Sequence, residues 1–119
     1  MDTSLFERLG GEQGIRSISN DVVELHRQNP VIKARFANSD VVTLKDTVAK
    51  FFITGSGGPQ VYEGKDMRTA HQNMNINDNE YMAAVDDVMQ ALDNHNVGDK
   101  EKAEVLYIFY SLRPEVVHV

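Results

Sequence analysis

The sequence predicts an all-α domain, and three observations lead to that prediction. Apolar residues recur at helical intervals, as Ile15, Ile18 and Val22 do. No window alternates between apolar and polar residues with the period of two that marks a strand. Glycine, proline and asparagine interrupt the helical stretches, as connections between helices require. The 119 residues provide material for one domain, so we expect residues 1–119 to form a single domain.

Local signals set the limits of the first two helices. Ser4 and Glu7 have the spacing of a capping box, which predicts a short first helix that ends at the Gly10–Gly11 pair. The second helix is expected from about 12 to 27. Pro30 then stops it, because the residue before a proline is pushed out of helical geometry.

The middle of the chain predicts one short and one long helical segment. Val31–Phe36 is expected to form a helical turn. A third helix from about Val42 to Ile53 follows, and the polar segment Asn38–Asp40 can cap its start. The glycine-rich segment Gly55–Pro59 then breaks the chain.

The C-terminal part predicts two further helices. Asn77 and Glu80 can cap the start of the first, whose apolar positions recur at helical spacing. A polar turn over Asn94–Asp99 separates it from the last helix, which Pro114 ends. Together with a short helix expected over Met67–Met74, these segments complete an all-helical chain.

Composition excludes several classes of function. The net charge of −6 and the lack of a basic run argue against a nucleic-acid partner. The chain has no cysteine, so disulfides and thiolate metal ligation are excluded. No apolar run approaches the roughly 20 residues that span a bilayer, and the polar, acidic N-terminus is unlike a signal peptide. We therefore expect a cytoplasmic protein without a membrane partner.

The segment Gly55–Ile76 has the strongest functional signal. Met67, His71 and Met74 occur at i, i+4 and i+7 and are expected to share one helical face. Such a histidine is suited to a cofactor with its own planar apolar surface, and haem is the obvious candidate because one imidazole can tether its iron. An ordinary core or boundary histidine fits the same spacing. His95, in a polar turn expected to be solvated, is a weaker candidate.

The order of residues along nearly the whole chain resembles the truncated globins. The matching segments are LFERLGG at Leu5–Gly11, the Pro30–Phe36 segment, LKxxVxxFF at Leu44–Phe52 and GGPxxYxGxxMxxAH at Gly57–His71. The last string and the absence of tryptophan are most like the first of the family's three main groups. The resemblance implies a 2-on-2 globin fold, in which two crossed helix pairs enclose a haem.

The resemblance also implies the residues of the haem site. It makes His71 the iron ligand and haem b (iron protoporphyrin IX) the cofactor, with Tyr62 as a partner of a haem propionate. Lys45, Arg68 and Lys65 are further candidate propionate partners, because an exposed carboxylate attracts nearby cations, though only modestly. The expected lining side chains are mostly apolar: Phe36, Leu44, Val48, Phe51, Phe52, Met67, Ile76, Tyr81, Val85, Val88 and Phe109. Each of them would serve equally well in the core of a haem-free bundle.

The ligand-facing, or distal, side departs from the family pattern. Most first-group members have a tyrosine and a polar residue where this chain has Val23 and, on the facing helix, Leu44 and Val48. Thr47 stands where some relatives supply an internal iron ligand, and threonine is a poor one. The resemblance therefore implies an apolar ligand pocket that discriminates less in favour of O₂. His26 lies on the side of Val23 and is either a hidden donor or a boundary histidine bonded to a carbonyl.

The implied function is reversible binding of O₂, CO and NO at a five-coordinate ferrous haem, for O₂ binding or transport or for NO handling. A reductase or small reductant and a monomeric or weakly dimeric state are expected. NO dioxygenase-type activity stays open, whereas peroxidase activity is disfavoured because no distal acid–base group is present. Two alternatives remain: a six-coordinate haem protein for electron transfer, with His26 or Lys45 as second ligand, and a haem-free helical interaction module.

Overall fold

Helices account for nearly all regular structure in this computed structural model, which describes residues 3–118. The six α-helices are α1 (Leu5–Arg8), α2 (Gly11–Gln28), α3 (Val41–Gly55), α4 (Met67–His71), α5 (Asp78–Asn94) and α6 (Asp99–Leu112). Short 3₁₀ turns occur at Lys33–Phe36 and Arg113–Glu115. The one β-type pairing in the described residues is an isolated bridge between Ile76 and Val117. The all-α prediction is confirmed.

Side-chain caps set the starts of α1, α3, α4 and α5. Ser4 caps α1 by accepting the backbone N–H of Glu7, and Asp40 caps α3 by accepting two backbone N–H groups of its first turn. Asn77 and Glu80 form the complete reciprocal capping box at the start of α5. Each cap satisfies backbone donors that the first helical turn leaves without partners. The predicted capping residues are therefore confirmed at α3 and α5, and Ser4 caps α1.

Glycine permits the close junction between α1 and α2. Gly10 is the N-cap of α2 and has a φ of 100°, a conformation that side chains disfavour. A Cβ at Gly14 would lie 2.4 Å from the carbonyl oxygen of Leu9. The close junction of the two helices is therefore possible because Gly10 and Gly14 have no side chain.

The short fourth helix ends earlier than the sequence indicates. It covers Met67–His71, and Gln72 leaves helical geometry with a ψ of 137°. Asn73 and Asn75 then take positive φ values of 70° and 48°, which asparagine tolerates better than most residues. Met74 lies beyond the end of this helix. The prediction that Met67, His71 and Met74 share one helical face is therefore wrong for Met74.

Buried apolar residues form two clusters. The large cluster joins α1, α2, α3, α5 and α6 and consists of Leu5, Leu9, Ile15, Ile18, Val22, Ile53, Val88, Ala91, Leu92 and Val105. The C-terminal cluster consists of Ile76, Tyr81, Val85 and Val116. Helix α2 packs against both α3 and α5, and α4 packs against the Arg113–Glu115 turn. No helix within residues 3–118 is long and apolar enough to cross a membrane.

Candidate functional site

The ring of His71 is fixed at the end of α4 by a backbone hydrogen bond. Its Nδ1 lies 2.8 Å from the carbonyl oxygen of Met67. Since a carbonyl only accepts, Nδ1 is the protonated ring nitrogen, and Nε2 of the neutral ring keeps its lone pair. Nε2 has no hydrogen-bond partner among the described residues. This is the state in which a protein imidazole ligates a metal, with its second nitrogen fixed by an acceptor.

Helix α4 has only five residues and is held by its surroundings. Asp66 caps it by accepting the backbone N–H of Thr69 at 2.8 Å, and the hydrogen bonds from Thr69 lower the pKa of the Asp66 carboxyl. Met67 and Met74 pack against the C-terminal cluster. Such anchoring is needed because an isolated helix of this length is unstable in water. The same contacts hold His71 in position.

Helix α3 has two apolar surfaces in different surroundings. Ala49 and Ile53 are buried. Leu44, Val48 and Phe51, spaced four and three residues apart on another face, are only half-buried and belong to neither apolar cluster. A half-buried apolar surface of this kind, together with a ligating imidazole nitrogen, fits the chemistry of haem.

Aromatic contacts of Phe51 and Phe52 connect α3 to the loop before α4 and to α6. The ring centroid of Phe51 lies 5.7 Å from that of Tyr62, and the centroid of Phe52 lies 5.7 Å from that of Phe109. The hydroxyl of Tyr81 donates to the carbonyl of Phe109. Burial raises the pKa of Tyr81 to about 12, so its hydroxyl stays protonated and keeps donating at neutral pH.

The remaining predicted lining residues, except Phe36, divide between the two clusters. Met67, Ile76, Tyr81 and Val85 come together in or against the C-terminal cluster. Val88 is 2% exposed and lies in the large cluster. That packing makes Val88 a core residue, and a contact between Val88 and a cofactor stays a prediction.

Two of the four predicted propionate partners have partners inside the chain. The hydroxyl of Tyr62 donates its only proton to the carbonyl of Lys65 at 2.6 Å. The Nζ of Lys45 lies 3.0 Å from a carboxylate oxygen of Glu24 and lowers the pKa of that carboxyl. Arg68 and the ammonium of Lys65 are exposed and form no ion pair within residues 3–118, and a propionate contact of any of the four stays a prediction.

Three of the residues predicted for the distal pocket are apolar, and a fourth is exposed. Val23 is fully buried and belongs to neither cluster. Leu44 and Val48 are half-buried, and Thr47 is exposed. The valines and the leucine have no side-chain hydrogen-bond donor.

His26 lies at the end of α2 and binds a carboxylate. Its Nδ1 is 2.8 Å from Oδ2 of Asp87 on α5, and its ring stacks on Phe36 with centroids 5.5 Å apart. The expectation of a carbonyl partner is therefore wrong. His95, expected to be solvated, likewise pairs with Asp21 at 2.9 Å. Sequence reasoning missed both aspartates because they lie 61 and 74 residues from their partners.

Comparison with known proteins agrees with the predicted family. The model of the bacterial-like globin family matches residues 4–118. A group 1 truncated hemoglobin of Chlamydomonas moewusii is 25% identical over 118 residues, covering 98% of this chain and 69% of that protein. Another, from Synechocystis, is 28% identical over 107 residues, covering 87% of this chain and 86% of that protein.

Solved structures share the fold. The Fe(III) form of the truncated hemoglobin of Tetrahymena pyriformis superposes with a TM-score of 0.94 at 23% identity, over 98% of this chain and 100% of that one. The 2/2 hemoglobin of Synechococcus, solved in the cyanomet state with covalently attached heme, has a TM-score of 0.90 at 25% identity, over 97% and 98% of the two chains. The predicted 2-on-2 fold is thus confirmed, and the chain belongs to the bacterial-like globin family as a truncated hemoglobin.

Proposed function

We propose that this truncated globin holds haem b through His71 and reversibly binds O₂, CO and NO at a five-coordinate ferrous iron. The observation that supports this most strongly is the His71 ring, whose Nδ1 lies 2.8 Å from the Met67 carbonyl. When bound, haem supplies the iron centre at which a diatomic gas coordinates. The residues of the chain bind and orient that group and set the polarity around the gas.

His71 is assigned the role of iron ligand on the proximal side. The Met67 carbonyl fixes the tautomer and the rotation of the ring, and an acceptor at Nδ1 makes Nε2 a stronger donor to a metal. Leu44, Val48 and Phe51 offer the apolar surface that a macrocycle can cover. Arg68 is the proposed partner of a haem propionate, with a modest contribution because it is exposed.

The contact of Lys45 argues against it as a second iron ligand. Its ammonium is paired with Glu24 and would have to leave that carboxylate and lose a proton before it could ligate iron. His26 is the remaining candidate, because its Nδ1 is bonded to Asp87 and the Nε2 of the neutral ring keeps its lone pair. Five-coordinate iron stays the proposal because the His26 ring is held by Asp87 and stacked on Phe36, and the ferrous spectrum decides between gas binding and electron transfer.

Apolar side chains at Val23, Leu44 and Val48 set the proposed ligand preference. A hydrogen bond to a charged group contributes about 1.5–3 kcal/mol, and about 1.4 kcal/mol corresponds to a tenfold change in an equilibrium or rate. Without a donor, O₂, the most polarised of the three gases, should dissociate roughly ten- to a hundredfold faster than from a donor-bearing pocket. The dissociation rates of CO and NO should increase less than that of O₂.

The biological role proposed is O₂ binding or transport, or NO handling, in the cytoplasm. A reductase or small reductant would keep the iron ferrous, and the chain would act as a monomer or weak dimer in which residues 1–119 form one globin domain. NO dioxygenation is the less favoured use of such a pocket because it requires O₂ to remain bound until NO arrives.

The test is the absorption spectrum of the haem-loaded protein after anaerobic reduction. We expect a tight complex with one equivalent of hemin, a broad high-spin ferrous band, and complete conversion when CO is added. A split, low-spin ferrous spectrum before CO addition would contradict five-coordination, and Lys45→Ala and His26→Ala would then identify the second ligand. A folded protein with no Soret band at one equivalent would instead favour a haem-free module.

A further inference from the structure

We propose that His26 and Asp87 form a positioning pair that holds Phe36, a predicted haem-lining residue, in its place in the site, so that His26 acts through Phe36 and does not donate to the gas. This inference rests on the proposed function. It concerns a network that joins the end of α2, the Lys33–Phe36 turn and α5, away from the proposed iron ligand.

The pair is largely shielded from water, and Asp87 is hydrogen-bonded through both carboxylate oxygens. The side chains of His26 and Asp87 are each 13% exposed, and their N···O distance is 2.8 Å. The side-chain amide of Asn29 lies 3.2 Å from both oxygens of Asp87, and its own oxygen accepts the backbone N–H of Val31 at 3.0 Å. Asp87 thus fixes both the last turn of α2 and the chain that leads to Phe36.

The hydrogen bond determines the tautomer of His26. An ionised carboxylate only accepts, so Nδ1 is the protonated nitrogen of the neutral ring. That ring has one N–H, and Asp87 already accepts it. Neutral His26 therefore has no proton to offer a bound gas, so the hidden-donor role considered from the sequence would need a second proton on the ring.

The ring of His26 is instead a packing partner of Phe36. The two rings are stacked, with centroids 5.5 Å apart and planes inclined by 20°. Phe36 is half-buried and packs against neither apolar cluster. Its position therefore depends on His26 more than on the core, and Asp87 prevents the imidazole from rotating away.

The chain contains a matched control for this role. His95 and Asp21 form a second histidine–aspartate pair at 2.9 Å, also between α2 and the end of α5. No aromatic stacking involves His95 within residues 3–118. His95→Gln therefore alters a second, more exposed link between the same helices, since the side chains of His95 and Asp21 are 30% and 36% exposed. It does so without touching Phe36, and it separates positioning from a general effect on helix packing.

The first experiment measures CO rebinding after flash photolysis of the haem-loaded variants His26→Gln, His95→Gln, Phe36→Leu and His26→Gln/Phe36→Leu. We expect His26→Gln to change the association rate by about threefold or more, and His95→Gln to leave it unchanged. The His26→Gln effect should vanish in the Phe36→Leu background, because neighbours that act as a unit are not additive.

The second experiment uses the haem-free protein and so does not depend on the proposed function. The ring resonances of Phe36 in ¹³C-phenylalanine-labelled protein should shift in His26→Gln and Asp87→Ala, but not in His95→Gln. Asp87→Asn keeps an acceptor oxygen for Nδ1 and should retain the wild-type resonances, which keeps the proposal testable even where His26→Gln fails to fold.

Three results would overturn the proposal. One is an equal change in CO rate from His26→Gln with and without Phe36, which would mean that His26 acts on the gas directly. Another is an equal effect of His26→Gln and His95→Gln, which would reduce the pair to a link between helices. The third is an unchanged Phe36 resonance in Asp87→Ala. Failure to bind hemin would instead count against the proposed function alone.

Discussion

The family pattern places Val23 and His71 on opposite sides of the haem, and their side chains have opposite chemistry. His71 presents a lone pair whose direction is set by a backbone carbonyl. Val23 presents only methyl groups and is fully buried, so it can neither ligate iron nor donate a hydrogen bond. Under the proposed function, gases would bind through the iron alone, with little help from the protein for a polar ligand.

Adding a single hydroxyl at Val23 tests this difference. Val23→Tyr should slow O₂ dissociation roughly ten- to a hundredfold relative to Val23→Phe, because only the tyrosine can donate to the gas. The measurement is O₂ displacement by CO in a stopped-flow instrument. Since both rings enlarge a buried position equally, the phenylalanine variant controls for overpacking. Equal rates would show that position 23 does not face the ligand.

Contacts within one helix were predictable from the sequence at the residue level, and contacts in loops or between helices were not. The Met67 carbonyl could be proposed for His71 because the two residues are four apart on one helix. The Asp87 partner of His26 and the Glu24 partner of Lys45 depend on how α2 meets α5 and α3. The bond from the Tyr62 hydroxyl to the carbonyl of Lys65 depends on the loop before α4, and a contact between Tyr62 and a propionate stays a prediction.

At the level of elements, capping chemistry explains where the helices begin. Asp40 and Asn77 were identified as caps from residue type and spacing, and both accept backbone N–H groups in the structure. The end of α4 was not identified, because it depends on the left-handed conformations of Asn73 and Asn75. Asparagine permits that conformation without requiring it, so residue type alone does not fix where the helix stops.

Removing the cap of α5 should destabilise the whole domain. Asn77→Ala should lower the free energy of unfolding by about 1 kcal/mol, because the backbone N–H of Glu80 loses its acceptor. The measurement is urea unfolding followed by circular dichroism. Asn79→Ala is the control, since Asn79 is exposed in the first turn of the same helix. An equal effect of the two substitutions would show that the capping box does not stabilise α5.

At the level of the whole molecule, the chain has more apolar surface than its own core covers. Two clusters bury residues from every α-helix except α4, while Leu44, Val48 and Phe51 stay half-buried outside both. The helical fold and the family followed from periodicity and from residue order. The division of the lining residues between two clusters could not be predicted in this way, because every apolar position on a helix looks alike until its neighbours are known.

The most direct test of the central claim is a hemin titration of His71→Gly with and without added imidazole. We expect wild-type protein and the control His95→Gly to give the same axially ligated spectrum at one equivalent. His71→Gly should lose that spectrum and regain it when imidazole enters the space left by the side chain. An unaltered spectrum in His71→Gly without imidazole would contradict the assignment of His71 as the iron ligand.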